Sequence, residues 1–312
     1  MFNRNRYAGQ PLDDSSRRSI TILGDANPEI GDDDATVTLG DFYHAGTFWN
    51  AVVPLDAVNE VFGQAFNFSK PKTKPGPDGP EIVRDKQGVP KRTVRMLNHV
   101  QSRFTLKTGH YVELFSSERD PSGEPEHRVD DFVYSLEAVG PVGVTFNIRD
   151  GLAGNLFSAH RFMSTQEMVF ERIVVQSQYV TESPALPIDE REKRALFIQS
   201  LLRSHCAGAN EQYYLYRFCG TNNCTSNPFQ ILDRVVDYSL LQRVGSQIYR
   251  LPLNPRFYLR MRGLDVDPTV RKLVRDEFED YIGDPVTQQR KRDYVRSQTR
   301  ALRAARKANV AT

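Results

Sequence analysis

Strand-like runs fill the first half of this chain and helix-like runs fill most of the second, and this order limits the folds available to it. Alternating apolar and polar residues between Gly, Pro, Asp and Ser turn signals predict strands. The predicted strands are 20–23, 36–39, 47–53, 94–97, 103–106, 110–115, 132–136 and 143–148. Apolar residues at three-and-four spacing predict helices at 164–174, 189–204, 229–241 and 268–281. Segregated strands and helices indicate an α+β fold in which an antiparallel sheet packs against helices.

The length of 312 residues allows one large core, and we favour a single domain with appendages. Residues 1–34 are polar and rich in Asp, Arg and Gly, which predicts a flexible N-terminal tail around one short strand. Residues 35–285 form the predicted domain, and a proline-rich surface insertion interrupts it at 69–92. Residues 286–312 predict a basic helical tail in which Asp293 is the single acidic residue.

Charge and cysteine content restrict the partners and cofactors. The formal net charge of +2 gives no global basic field, so a strongly charged partner has to be recognised locally. The three cysteines are Cys206, Cys219 and Cys224, and none has the spacing of a zinc site. We therefore expect neither a disulfide-built nor a metal-built fold, and no cofactor.

The targeting signals are also informative. No apolar run reaches the roughly twenty residues that span a bilayer, and the basic N-terminus has no apolar segment behind it. The chain therefore reads as soluble, without a transmembrane segment, and its default location is the cytoplasm.

The tetrad Thr221-Asn222-Asn223-Cys224 joins a strand-like aromatic run at 213–218 to the predicted helix at 229–241. A thiol at such a junction lies near unpaired backbone N–H groups and the positive end of the helix dipole, and both favour thiolate. A buried structural cysteine is the alternative interpretation. Asn223 can donate a hydrogen bond or cap the helix, and Pro228 predicts that the helix begins near Asn227.

The residues around this cysteine resemble the core of the Lnb-type periplasmic domain, the lipoprotein intramolecular N-acyltransferase family. The family order is a helix, a tyrosine-rich strand, an Asn-Cys-Ser/Thr motif and a Leu-Leu-Asp/Glu helix. The matching segments are the helix after Tyr179, Tyr213-Tyr214-Leu215-Tyr216, Asn223-Cys224-Thr225 and Ile231-Leu232-Asp233. Upstream, Gly151-Leu152-Ala153-Gly154 with Phe157-Ser158 resembles its glycine-rich turn, and Thr38 to His44 resembles its Gly-His strand segment.

This resemblance implies a circularly permuted papain-like (NlpC-like) fold, as in lecithin:retinol acyltransferases, with the nucleophile at a helix N-terminus. It implies acyl transfer or hydrolysis through a thioester, with Cys224 as nucleophile and His44 as base. The residue that orients the imidazole is not identified by a motif, and His110 is the best candidate. An acyl-bearing lipid, lipoprotein or peptide would be the substrate, and the resemblance implies a periplasmic location.

Alternatives remain open at the sequence level. His160 is a rival base, whereas His99 and His127 are interpreted as solvated loop residues and Cys219 as a buried strand residue. A second class of function is a non-catalytic binding or structural module. Its basic C-terminal arm, residues 286–312, would make weak contacts with anionic lipid or nucleic acid.

Overall fold

The computed structural model describes most of the chain. The described residues are 5–24, 30–31, 34–76, 79–85, 88–94, 97–116, 123–144, 146–217, 221–246, 255–265, 267 and 272–310. Cys219 and Phe218, which the sequence places in a strand, lie outside them.

Within these residues, twelve strands form one large mixed sheet and two form a separate hairpin. The strands are β1 (Thr21–Ile22), β2 (Thr36–His44), β3 (Thr47–Pro54), β4 (Val58–Asn67), β5 (Thr73–Gly76), β6 (Gly79–Ile82), β7 (Asn98–Leu106), β8 (Val112–Phe115), β9 (His127–Val129), β10 (Asp131–Val139), β11 (Leu156–Ser164), β12 (Thr181–Ala185), β13 (Gln212–Tyr213) and β14 (Lys272–Leu273). The main path through the sheet is β14-β12-β4-β7-β10-β11-β2-β3-β8-β9. The pairs are antiparallel except β11 with β2, and β1 and β13 join as side branches.

Helices accompany this sheet, which confirms the α+β class. The helices are α1 (Ile148–Ala153), α2 (Thr165–Val169), a π-helix (Phe170–Val175) that continues α2, α3 (Glu190–Ala207), α4 (Ser226–Val235), α5 (Leu240–Ser246), α6 (Pro255–Met261), α7 (Val274–Glu277), α8 (Glu279–Gly283) and α9 (Pro285–Val310). Among the described residues, no helix combines the length and the apolar character needed to cross a membrane.

The aromatic core lies on one face of the sheet, because alternate residues of a strand point to opposite faces. Phe104 of β7 stacks on Phe132 of β10 with ring centroids 5.6 Å apart. Phe197 of α3 contacts both rings at 5.3 Å. Buried rings of this kind supply much of the apolar area that stabilises a domain, so α3 is held to the centre of the sheet.

The opposite face of the same strands is charged and still buried. The Arg103 guanidinium of β7 bonds to carboxylates of Asp131, Glu182 and Glu277. These three acids belong to β10, β12 and α7, so one arginine links four elements. A buried charge is tolerated only when it is paired and hydrogen-bonded, and this pairing therefore restricts where those elements can lie.

Local sequence signals account for several elements. The predicted N-cap Asp189 is confirmed, since its side chain accepts from the Glu192 N–H at 2.7 Å and Glu192 returns a bond to the Asp189 N–H. The strands predicted at 36–39 and 47–53 are confirmed as parts of β2 and β3. The strand predicted at 143–148 is wrong, because the described residues of this segment form a turn and the start of α1, where Asn147 is the N-cap and Ile148 the first helical residue.

The N-terminal segment, which the sequence predicts as a flexible tail, packs on the domain over residues 5–24. The Tyr7 hydroxyl donates to Asp150 at 3.0 Å, and β1 pairs with β2. Ile20 and Ile22 are buried in the main core. Three apolar residues spaced among polar ones give too weak a pattern for a sequence prediction, although they are enough to fix the segment.

The basic C-terminal segment is helical over its described residues, as predicted, and its first turns are docked. The Arg290 guanidinium carbon lies 3.8 Å from the Phe170 ring centroid, and Arg290 bonds to Glu167 at 2.7 Å. The Tyr294 ring packs edge-on against Phe170. The start of α9 is therefore part of the domain rather than a solvated tail.

We expect Arg103→Met to lower the free energy of unfolding by about 3–5 kcal/mol, because it leaves buried carboxylates without a counter-charge. Chemical denaturation at neutral pH measures this change. Arg128→Met is the matched control, since Arg128 is exposed and pairs with Glu113 at the surface, and we expect its effect to stay below about 1 kcal/mol. Equal effects of the two substitutions would contradict the structural role of Arg103.

Candidate active site

A cleft of about 600 Å³ lies on the charged face of the sheet, at the ends of β7 and β10 where these two strands no longer pair. Its apolar lining residues are Phe66, Phe68, Leu136, Ala138, Val142, Val144 and Phe146. Its other lining residues include Asp13, Arg17, His99, Glu137, Arg172, Tyr213, Cys224 and Gln298. Apolar walls with a few convergent polar groups are typical of small-molecule sites, and this volume is in their usual range.

Cys224 lies at the gap between the two strands. The β7–β10 ladder ends with the pair Gln101 and Ser135, and the Cys224 Sγ lies beyond it, 3.8 Å from the Asn98 carbonyl. The Tyr213 hydroxyl is 3.9 Å from the same sulfur. Only 2% of Cys224 is exposed, so the thiol contributes to the wall of the cleft and does not project from it.

Asn223 holds the turn that carries Cys224. Its side-chain oxygen accepts from the N–H groups of Thr225 at 2.8 Å and Ser226 at 2.7 Å. Its amide nitrogen donates to the Leu215 carbonyl at 2.7 Å. Asn223 therefore satisfies the N–H groups of the N-cap residue Thr225 and of the first helical residue and ties the start of α4 to the preceding chain, while Pro228 is accommodated in the first turn of α4.

The sequence favours a thiolate at Cys224, whereas the structure favours the protonated thiol. Burial raises the pKa of the Cys224 thiol to about 11, and the charge of Glu137 adds to this effect. Hydrogen bonds from Tyr213, the Val100 N–H and Thr225 act in the other direction without outweighing burial. The expectation of a favoured thiolate is corrected, because desolvation of a sulfur two residues before the helix outweighs the helix dipole.

His99 is the imidazole of this cleft. The sequence interprets it as a solvated loop residue, whereas it lies in β7 and is buried. Its Nε2 is 2.8 Å from the Ser135 Oγ and 3.7 Å from a Glu137 carboxylate oxygen, and its ring stacks on Phe66. Burial lowers the pKa of His99 to about 4 despite the opposing charge of Glu137, so the ring is neutral at pH 7.

The π-helix supplies the arginine that pairs with Glu137, the carboxylate next to His99. Arg172 of this helix bonds to Glu137, and neighbouring Glu171 bonds to Arg161 at 2.8 and 2.9 Å. Although burial opposes its ionisation, Arg172, His99 and Arg161 hold the pKa of Glu137 well below its usual range. Glu137 is therefore an ionised carboxylate beside a neutral imidazole. π-helical turns occur often at functional sites.

His44, the base implied by the resemblance, lies elsewhere. It ends β2, and its Nδ1 is 2.8 Å from the Ser164 Oγ, the N-cap of α2. Its ring packs against His127. Burial, followed by the charges of His127 and Arg290, lowers the pKa of His44 to about 4. His44 is not among the residues that line the Cys224 cleft.

The two other candidate histidines are also separate from the cleft lining. His110 lies in an exposed turn before β8. His160 of β11 is fully buried, with its ring nitrogens 2.7 Å from the Tyr134 hydroxyl and 3.1 Å from Glu211. The structure thus brings Cys224 and Asn223 together and adds His99 and Glu137, which the sequence interpretation did not select.

A signal for His99 is present in the sequence. Polar His99, Gln101 and Arg103 alternate with Val100, Ser102 and Phe104, which is strand periodicity and extends the strand predicted at 103–106 backwards. The pairing of His99 with Glu137 has no such signal, because it depends on which strands are neighbours. Comparison with protein-family models, with curated proteins and with solved structures gave no match.

The two buried histidines make a prediction about acid stability. Burial lowers the pKa of both His99 and His160 to about 4, whereas an unfolded histidine titrates near 6.5. Below about pH 6.5 the unfolded state binds protons that the folded state does not, so stability falls until about pH 4, by on the order of 3 kcal/mol per histidine. Denaturation at several pH values measures this, and His99→Gln and His160→Gln should each flatten the profile. Profiles parallel to the unsubstituted protein would contradict the assignment.

Proposed function

We propose that the protein carries out cysteine-dependent acyl transfer or hydrolysis through a thioester, with Cys224 as nucleophile and His99 as its imidazole. The observation that carries the proposal is that Cys224, His99 and the ionised Glu137 line one apolar-walled cleft. A thiol, an imidazole and a carboxylate are the groups that cysteine nucleophiles use.

The order of these residues along the chain supports a permuted papain-like arrangement. The strand that bears His99 precedes the Asn-Cys turn and helix α4, which is the order implied by the resemblance to the lipoprotein N-acyltransferase family. In this proposal His99 takes the place that the sequence gave to His44, and Glu137 takes the orienting place that it gave to His110.

The proposed reaction starts from a neutral pair. The thiol pKa of about 11 and the imidazole pKa of about 4 keep both groups uncharged at pH 7. Proton transfer from Sγ to His99 then accompanies attack on the carbonyl carbon, and ionised Glu137 stabilises the imidazolium that forms. The bond to the leaving oxygen or nitrogen breaks as His99 returns the proton, which leaves an acyl thioester on Cys224.

The second half of the proposed cycle releases the acyl group. Water or an amine attacks the thioester carbon while His99 takes the acceptor's proton, and the C–S bond then breaks as His99 passes this proton to Sγ, which regenerates the thiol. The Tyr213 hydroxyl, 3.9 Å from Sγ, is a donor for the developing oxyanion. Burial raises the pKa of Tyr213 well above its usual value, so this hydroxyl keeps its proton through the cycle. The phenyl-rich wall suits an acyl chain of a lipid, lipoprotein or peptide.

The first test uses p-nitrophenyl octanoate and intact-protein mass spectrometry. We expect an octanoyl adduct on the Cys224 peptide, and Cys224→Ser should lower kcat/KM by at least about 10³-fold. His99→Gln should lower it by about 10²–10⁴-fold, because the thiol loses its base. Cys206→Ser is the matched control, since Cys206 is an exposed cysteine, and should retain activity.

Other outcomes of the same assays would contradict the assigned nucleophile or base. Hydrolysis that survives Cys224→Ser, or an adduct that forms on Cys206 instead, would remove the nucleophile from the proposal. Full activity in His99→Gln together with loss in His44→Gln would return the base to the residue that the resemblance implies.

A non-catalytic module is the second candidate, and the 2% exposure of Cys224 with its raised thiol pKa favours it. Its binding surface would be the exposed side of α9, where Arg292 and Arg296 point away from the domain. Anionic lipid and nucleic acid both carry phosphates that such arginines recognise.

The corresponding test measures binding to vesicles of three parts phosphatidylcholine and one part phosphatidylserine, and to a single-stranded oligonucleotide. We expect Arg292→Gln with Arg296→Gln to weaken binding by about 10–30-fold at low salt, at about 1 kcal/mol per arginine. Asp293→Asn is the control on the same helix and should not weaken it. Binding that is unchanged by the double substitution, or that does not fall with salt, would exclude this arm as the binding surface.

A further inference from the structure

Two arginines line the Cys224 cleft with part of their hydrogen-bonding capacity unused. Arg172 is 5% exposed, and its Nε is buried with no partner within the described residues. The Nε of Arg17, from the N-terminal segment, is also buried and without a partner there. Both side chains line the cleft. An unsatisfied buried N–H on a cation is costly, and a bound anion is one arrangement that offsets this cost.

The two glutamates of this cluster bond to Arg161 and Arg172 and leave Arg17 for an anion. Arg17, Arg161 and Arg172 carry three formal positive charges, and Glu137, Glu171 and Asp13 carry three formal negative ones around the same space. Arg161 is engaged by both Glu171 oxygens, and Arg172 by Glu137. Arg17 lies close enough to lower the pKa of both acids, although neither carboxylate is hydrogen-bonded to it within the described part of the chain. Asp13 is the one further acid among the described residues that line the cleft, and its carboxylate accepts from the Ser15 hydroxyl.

The position of the arginines relates them to the reacting group. Arg172 lines the cleft and bonds to Glu137, and the charge of Glu137 contributes to the raised pKa of the Cys224 thiol. Arg17 enters from the N-terminal segment, where its neighbour Arg18 turns away and covers the Phe48 ring. The apolar wall of Phe66, Phe68 and Phe146 borders the same space. A ligand in the cleft therefore meets apolar surface and guanidinium groups at once.

We infer that Arg17 and Arg172 form an anion subsite of the Cys224 cleft, which selects acyl substrates that bear a carboxylate or a phosphate. This inference rests on the proposed function for its substrate, but the subsite itself is a binding site and needs no catalysis. Guanidinium groups bind both anions through charge-assisted hydrogen bonds, so the shared chemistry is a planar or tetrahedral oxyanion.

Calorimetric titration of the full chain with octanoate, monooctyl phosphate and 1-octanol tests the subsite. The three probes share the alkyl chain and differ in charge. We expect at least one of the two anions to bind about tenfold or more tightly than 1-octanol, the gain that a charge-assisted contact supplies. The anion with the larger advantage identifies carboxylate or phosphate as the preferred group.

Substitutions at the subsite complete the test. Arg17→Gln should weaken the preferred anion by about tenfold and leave 1-octanol unchanged. Arg18→Gln is the matched control on the adjacent residue and should alter neither probe, and Asp13→Asn should tighten the anion. Arg172→Gln alone can destabilise the fold, because it leaves the buried Glu137 carboxylate without its counter-charge. Arg172 is therefore tested in the double variant Arg172→Gln with Glu137→Gln, in which both charges are removed.

Equal affinity for the three probes, or an anion preference that Arg17→Gln leaves intact, would overturn the subsite. This outcome is separable from failure of the proposed function. The binding preference should persist in Cys224→Ser if the subsite exists, whether or not Cys224 is a nucleophile. Conversely, an octanoyl adduct on Cys224 in a protein without anion preference would leave the chemistry standing and remove only the subsite.

Discussion

The structure depends on pairing the charges that lie buried on one face of its sheet. Arg103 is only 3% exposed and binds three carboxylates from three other elements. Arg161 and Arg172 likewise meet Glu171 and Glu137. Because removal of one member of such a pair strands a buried charge, these contacts select one arrangement of the surrounding helices even where they add little net stability. The aromatic face supplies the cohesion and the charged face restricts the geometry.

The candidate site is a continuation of this charged face. His99 and Glu137 extend the rows of buried polar residues on β7 and β10 beyond the point where the two strands cease to pair. Cys224 occupies the side of that gap. The same burial that aligns these groups also keeps the thiol protonated and the imidazole neutral. Any chemistry at Cys224 therefore requires coupled proton transfer rather than a resting thiolate–imidazolium pair.

The sequence patterns predicted the elements whose stability depends on residues close together in the chain. Helix α3 was predictable because its capping box and apolar spacing lie within one segment. The cysteine turn was recognised because Asn-Cys precedes a helix, and the Asn223 side chain accepts from the N–H groups of Thr225 and Ser226 at the start of that helix. Strands β4 and β11 were missed, since their burial comes from neighbours distant in the chain, and the helix predicted at 164–174 was found without its π-helical part being foreseen. His44 was selected by motif order, and nothing in that order encodes that β7, not β2, borders the cysteine.

The sequence by itself determined the α+β class, the capped helix and the turn that presents Cys224, because caps, turns and periodicity act over a few residues. Only the tertiary structure decided which histidine shares a cleft with Cys224 and which way the thiol titrates. Those properties follow from strand order and desolvation, and both are set by contacts between residues more than a hundred positions apart, such as Asn98 with Cys224.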